Sequence, residues 1–181
     1  ALAAPARVAV LSSAGPVDTP RYCEVFLSHF RAQGIAARDI VITGHGEARA
    51  VRECFERGGA SFRTFEGGKF FSQNASQHAR AALQVELLAT YSHVVQVDLD
   101  ELVVARPDKY ASLAAYAEAA GDGPVVAARG YEGQPTADGG VVWATHCGES
   151  KVVLARVPTE YSGGYHVLVS PVIIAPCDGH N

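Results

Sequence analysis

Three carboxylates fall within four residues at Asp98, Asp100 and Glu101, directly after the apolar, β-rich run at residues 93–97. Acids this close repel one another unless a cation or protons compensate. A hard divalent cation with oxygen ligands is the natural solution. Side chains alternate along a strand, so Asp98 and Asp100 share one face if the strand runs through them. The run before them reads as a central parallel strand, and open α/β sheets bind ligands at the carboxyl ends of such strands. Other candidate contacts lie at comparable places. Ser12 and Ser13 end a first apolar run, and Thr43 ends a second. Lys69 and Lys151 are candidate phosphate partners. His166 follows Gly163-Gly164, a pair that lets backbone approach a ligand closely.

The elements that must position these groups alternate regularly. A first strand is expected at residues 7–12. Thr19-Pro20 then reads as an N-cap with proline at N1, opening a helix stopped by Gly34. A second strand is expected at 39–43, a helix at 47–57 and a third strand at 61–65. A long helix is expected at 74–90, with Ala79, Ala82, Leu83, Val85 and Leu87 supplying much of its buried surface. A fourth strand covers 93–97, and Pro107 opens a helix through Ala120. The order β-α-β-α-β-α-β argues for a doubly wound, mostly parallel sheet. After Gly121 the chain becomes mixed and loop-rich, with β-rich pieces at 124–128, 141–145, 151–157 and 172–175. No linker, repeat or low-complexity stretch divides it, so one domain over 1–181 is expected, with a first half at 1–106 and a second at 107–181.

Composition narrows the partners. The net charge of −4 gives no basic footprint, which argues against a nucleic-acid partner. No stretch approaches the roughly 18–20 apolar residues of a membrane span, and the first residues do not read as a signal peptide. The four cysteines, Cys23, Cys54, Cys147 and Cys177, include no C-x-x-C pair. Reduced thiols in a cytoplasmic protein are therefore expected. There is no methionine, as expected of a trimmed chain or an excised domain.

The segment Tyr91-Ser-His-Val-Val-Gln-Val-Asp98-Leu-Asp100-Glu101-Leu102-Val103-Val104 resembles the D-x-D-E segment of glycosyltransferase-family-2-like proteins, which have a GT-A (nucleotide-diphospho-sugar transferase-like) fold. The likeness extends along the chain. Residues 24–34 and 39–43 are similar to their first helix and second strand, and Gln77 with the helix after it to the segment leading into D-x-D-E. Val142-Trp143 with Gly148, Ser150-Lys151-Val152 and Gly163-Gly164-Tyr165-His166 resemble their later motifs. Strand 2 departs from the pattern: it ends in Thr43-Gly44-His45, where an Asp or Asn often contacts the nucleoside.

The resemblance implies metal-dependent transfer of a sugar from a nucleotide-sugar donor, with a UDP-sugar expected, to a carbohydrate or other hydroxyl acceptor. Residues 1–106 would then bind the nucleotide sugar and 107–181 the acceptor. Mn²⁺ or Mg²⁺ would neutralise the diphosphate leaving group. Asp100 would ligate the metal directly. Asp98 would contact the ribose, or the metal through water. Glu101 would orient the pair, and His166 would complete the metal shell. Ser12, Ser13, Thr43, Lys69 and Lys151 would contact the nucleotide, and Trp143 could stack on a sugar. An inverting reaction needs a general base. Glu149 and Asp138 rank first, ahead of Glu132 and Glu160. Two alternatives compete. A haloacid-dehalogenase-type phosphatase would use Asp98 as nucleophile, but its motif belongs on the first strand. A non-catalytic GT-A domain would bind sugar nucleotide without turnover.

Overall fold

The computed structural model describes residues 6–15, 18–45, 48–65, 73–120, 123, 125–128, 131–145 and 151–159. Its first half alternates as expected: β1 (Val8–Ala14), α1 (Pro20–Ala32), β2 (Ile40–His45), α2 (Arg49–Arg57), β3 (Ser61–Phe65), α3 (Gln73–Leu88) and β4 (His93–Gln96). The second half carries α4 (Leu113–Ala119), β5 (Val125–Ala128), β6 (Tyr131–Pro135), β7 (Val141–Thr145) and β8 (Lys151–Ala155). Six strands form one sheet in the order β3-β2-β1-β4-β8-β5, and β6 pairs with β7 in a separate hairpin. The first four strands are mutually parallel, and β8 runs antiparallel between β4 and β5. The fold is therefore mixed α/β with a mostly parallel sheet.

Alternation along β1 divides the core between two faces. Val8, Val10 and Ala14 join α1, α2 and α4 in the larger cluster, whereas Ala9 and Leu11 join Leu87 of α3 on the opposite face. Helices thus cover both sides. In the larger cluster Phe26, Phe30 and Phe55 are fully buried, and the Phe26 ring lies 4.6 Å from that of Phe30 and 6.0 Å from that of Phe55. Helices α1 and α2 end alike. Gly34 and Gly59 take φ of 80° and 82°, a region open to glycine at little cost. Ile35 N–H then reaches back to Phe30 C=O, and Ala60 N–H to Phe55 C=O. Each pairing satisfies a terminal carbonyl and turns the chain back toward the sheet.

Four expectations change. Cys23 and Cys54 are joined by a disulfide between α1 and α2, so they are not reduced thiols. Their 31-residue separation hid the pairing from any local pattern. The helix after β4 begins at Leu113 and not at Pro107, because Ser112 supplies the cap: Ala115 N–H donates to Ser112 Oγ at 3.1 Å. Strand β6 was not expected, since Tyr-Glu-Gly-Gln-Pro is poor in β-branched residues; β7 gives it a partner. Helix α3 buries a polar stripe of Ser76, Arg80 and Gln84 together with Leu87, while Val85 is 54% exposed. The expected β piece at 172–175 lies outside the described residues. No helix among the described residues is long and apolar enough to cross a membrane.

Candidate functional site

The acidic segment lies just beyond β4, and β4 ends at Gln96. Asp98 and Asp100 are consequently not alternating residues of one strand. They belong to a turn closed by Glu101 N–H donating to Asp98 C=O at 3.0 Å. The Glu101 carboxylate returns the contact, with Oε2 accepting from Asp98 N–H at 3.1 Å. Leu99, 5% exposed, anchors the turn in the larger core cluster, and Asp100 points to solvent. The chain leaving the turn is tied to α1, where His29 Nε2 bonds Val103 C=O at 2.8 Å.

Asp98 is held from a second side. Arg80 Nη1 donates to Asp98 Oδ1 at 2.9 Å. The Arg80 side chain is 8% exposed and that of Asp98 38%. Among the described residues, Arg80 Nε is buried without a hydrogen-bond partner. A guanidinium stays charged, so burying it is costly unless an anion faces it. One turn further along α3, Gln84 holds Thr159: its Oε1 accepts from Thr159 N–H at 2.8 Å, and its Nε2 donates to Thr159 Oγ1 at 2.8 Å.

A carboxylate that the sequence reading did not single out joins this region. Asp18 lies in the loop after β1, and its Oδ2 accepts from Gly15 N–H at 2.6 Å. Its carboxyl is raised from the usual Asp value, first by burial and then by repulsion from Asp100 and Asp98, against the lowering effect of the Gly15 bond. Strands β1 and β4 are parallel neighbours. The loops leaving their carboxyl ends therefore bring Asp18 toward the acidic turn. In the order β3-β2-β1-β4 the connections run to one side up to β3 and then cross to the other, so β1/β4 is the switch point where open sheets bind ligands. Only a lone acid in a Pro-flanked loop marked Asp18 in the sequence.

The other expected contacts distribute differently. Ser12 is fully buried, and its hydroxyl has no partner among the described residues. Ser13 is half-buried. Thr43 is buried and donates to Ser12 C=O at 3.3 Å. It also borders a cavity of about 230 Å³ lined by Arg63, Thr64, Phe65, Ala79, Leu83 and Glu86. Strand β2 runs on through Gly44 and His45. The Phe62 ring occupies the space over Gly44, where a Cβ would lie 2.1 Å from Cζ. Asp138 belongs to the β6–β7 hairpin turn, accepting from Thr136 Oγ1 and from Gly140 N–H. Those bonds hold its carboxyl below the usual Asp range, which makes it a weak base at neutral pH. Lys151 begins β8, but its side chain and those of Glu132 and Trp143 lie outside the described set. Lys69, Glu149, Glu160, Gly163, Gly164 and His166 also lie outside the described residues. Among the described residues no three His, Cys, Asp or Glu side chains group closely enough to hold a metal ion unaided.

No protein-family model and no curated protein matches this chain. A solved structure that resembles it is the mannosyltransferase PcManGT from Pyrobaculum calidifontis, in complex with GDP-Man and Mn²⁺. The two share 21% identity with a TM-score of 0.43, over 68% of this chain. The chain spans 36% of that protein's length.

Proposed function

We infer that this chain is a GT-A-type glycosyltransferase domain that takes a sugar from a nucleotide-sugar donor, a UDP-sugar first, and passes it to an acceptor hydroxyl. The observation that carries this reading is the acidic turn at Asp98–Glu101, at the β1/β4 switch point with Asp18 beside it. Residues 1–106 would bind the donor and 107–181 the acceptor.

The donor set suits an ion shared with the substrate better than a closed protein cage. Mg²⁺ and comparable ions commonly bind through one or two carboxylates plus substrate phosphates. Asp100, exposed at the tip of the turn, is the proposed direct ligand, with His166 as a further one. When bound, the ion would neutralise charge developing on the diphosphate leaving group. The rest of the work belongs to the chain. Glu101 braces the turn through the Asp98 amide. Asp98 would contact the ribose, or the metal through water. Lys69 and Lys151 add positive charge for the phosphates, and Ser13 and Thr43 border the nucleoside side. Glu149 is the proposed general base, because Asp138 is committed to its hairpin. The Cys23–Cys54 bond favours an oxidising compartment over the cytoplasm.

Calorimetric titration with UDP and with GDP, in Mn²⁺ and in excess chelator, tests the reading. Binding is expected only with the metal, since the acids repel a bare pyrophosphate. Equal affinity under both conditions for both nucleotides would sink it. Hydrolysis of simple phosphate esters with label trapped on Asp98 would favour the phosphatase alternative.

A further inference from the structure

We propose that Arg80 is a positioning residue for Asp98, fixing the carboxylate in the orientation that the metal–nucleotide site requires; this rests on the reading above. Three observations point there. First, Arg80 is 6% exposed on a helix face that packs against the sheet. An apolar side chain would pack there without desolvating a permanent charge, and a buried ion pair is weak grounds for stability. Second, the contact is specific: one guanidinium nitrogen meets Asp98 Oδ1 at 2.9 Å. With Glu101 Oε2 on the Asp98 amide, both the backbone and the carboxylate of this residue are held. Third, Arg80 Nε has no partner among the described residues. The side chain is thus not placed to satisfy all its own donors; among the described residues its side-chain partner is the acid.

A group that orients a metal-site carboxylate from behind typically changes metal affinity about 10–100-fold when removed. Coulomb's law alone gives the opposite sign, because deleting a positive charge beside a cation site should tighten binding. The sign of the effect therefore separates positioning from simple charge balance. It also separates positioning from a packing role, which would change stability and leave the affinity of the folded protein alone.

The test follows Mn²⁺ alone, by loss of the free aqua-ion signal in electron paramagnetic resonance, in wild type, R80M, R80K, D98N and R80M/D98N. Metal-free unfolding midpoints are measured in parallel. R80M is expected to bind Mn²⁺ at least about tenfold more weakly with its unfolding midpoint largely kept. R80K, which retains the charge and one donor, is expected to recover most of the affinity. R80M/D98N should bind no more weakly than D98N, because Arg80 acts through Asp98. Binding by R80M equal to or tighter than wild type overturns the proposal, as does full multiplication of the two single effects. If R80M does not fold, R80A takes its place: at least about tenfold weaker binding in folded R80A with recovery in R80K supports the proposal, and near-wild-type affinity in R80A overturns it. Wild type that binds no Mn²⁺ in the absence of nucleotide overturns this proposal alone, and the nucleotide titrations then decide the functional reading; tight wild-type binding with an unaffected R80M likewise removes the proposal and leaves that reading standing.

Discussion

Asp18 and Asp100 feel each other's charge across the carboxyl ends of two adjacent parallel strands, although 82 positions separate them in the chain. Neither a turn nor a helix joins them. Their proximity is a product of the β1–β4 pairing, and it concentrates negative charge where the loops converge.

The first prediction uses that repulsion. The Asp18 carboxyl is raised above 3.8, chiefly by burial. The folded state therefore holds its proton more tightly than the unfolded state. Stability falls as pH rises from 3.8 through the raised value, and it stays lower above that. D18N should stabilise the metal-free protein at neutral pH by up to about 1 kcal/mol, a figure kept small because solvent screens a half-buried group. The gain should vanish at pH values below 3.8. Urea midpoints of wild type and D18N at both pH values provide the check.

Asp100 gives the second. Because its side chain is exposed, D100A should fold with a near-wild-type midpoint while losing Mn²⁺-dependent nucleotide binding by at least about 100-fold, more than the 10–100-fold typical of outer-shell changes. Calorimetry and circular dichroism on the same sample distinguish the outcomes. Retained binding would take Asp100 out of the metal site, and failure to fold would make it structural.

The third concerns Cys23–Cys54. A crosslink spanning 31 residues restricts the unfolded chain by about 3–4 kcal/mol in the loop-entropy account. Reductant should lower the urea midpoint of wild type and leave that of C23A/C54A unchanged. A wild-type midpoint indifferent to reductant would mean that the crosslink adds no stability.

His93 gives the fourth. Burial, reinforced by the Arg156 charge, lowers its imidazole below 6.5, and its buried Nε2 has no partner among the described residues. The unfolded state takes up a proton first on acidification. Stability is thus lost as pH falls from 6.5 toward the lowered folded value. H93Q should show a smaller loss between about pH 7.5 and pH 5.5 than wild type does, read from urea midpoints. Parallel curves for the two proteins would refute a contribution from His93.

Much of the architecture was legible locally. The run at β4 and the Thr19-Pro20 start of α1 announce themselves through apolar runs and cap chemistry, and β3 falls on the expected residues. Gly34 and Gly59 mark the ends of α1 and α2 because only glycine takes that backbone region cheaply. The acidic turn was legible as a cluster, but not as a turn: nothing local says that β4 stops at Gln96, since Val97 prolongs the same β-rich pattern. Asp18, Arg80 and the Cys23 pairing were not legible, because each gains its meaning from a partner brought near by the sheet or by helix packing. Helix α3 misled for a related reason. Its leucines and alanines advertise an apolar face, yet Ser76, Arg80 and Gln84 repeat every four residues and turn inward. That period was readable; its direction was not.

The spacing of those inward residues has a mechanical consequence. Arg80 and Gln84 are one helical turn apart, a rise of about 6 Å, and one grips the acidic turn while the other grips Thr159 beyond β8. A single rigid rod thereby sets the offset between two pieces of chain that never touch in sequence. Sliding or rotating α3 would carry both together. The helix works as a gauge block, with an ion pair at one mark and an amide contact at the next.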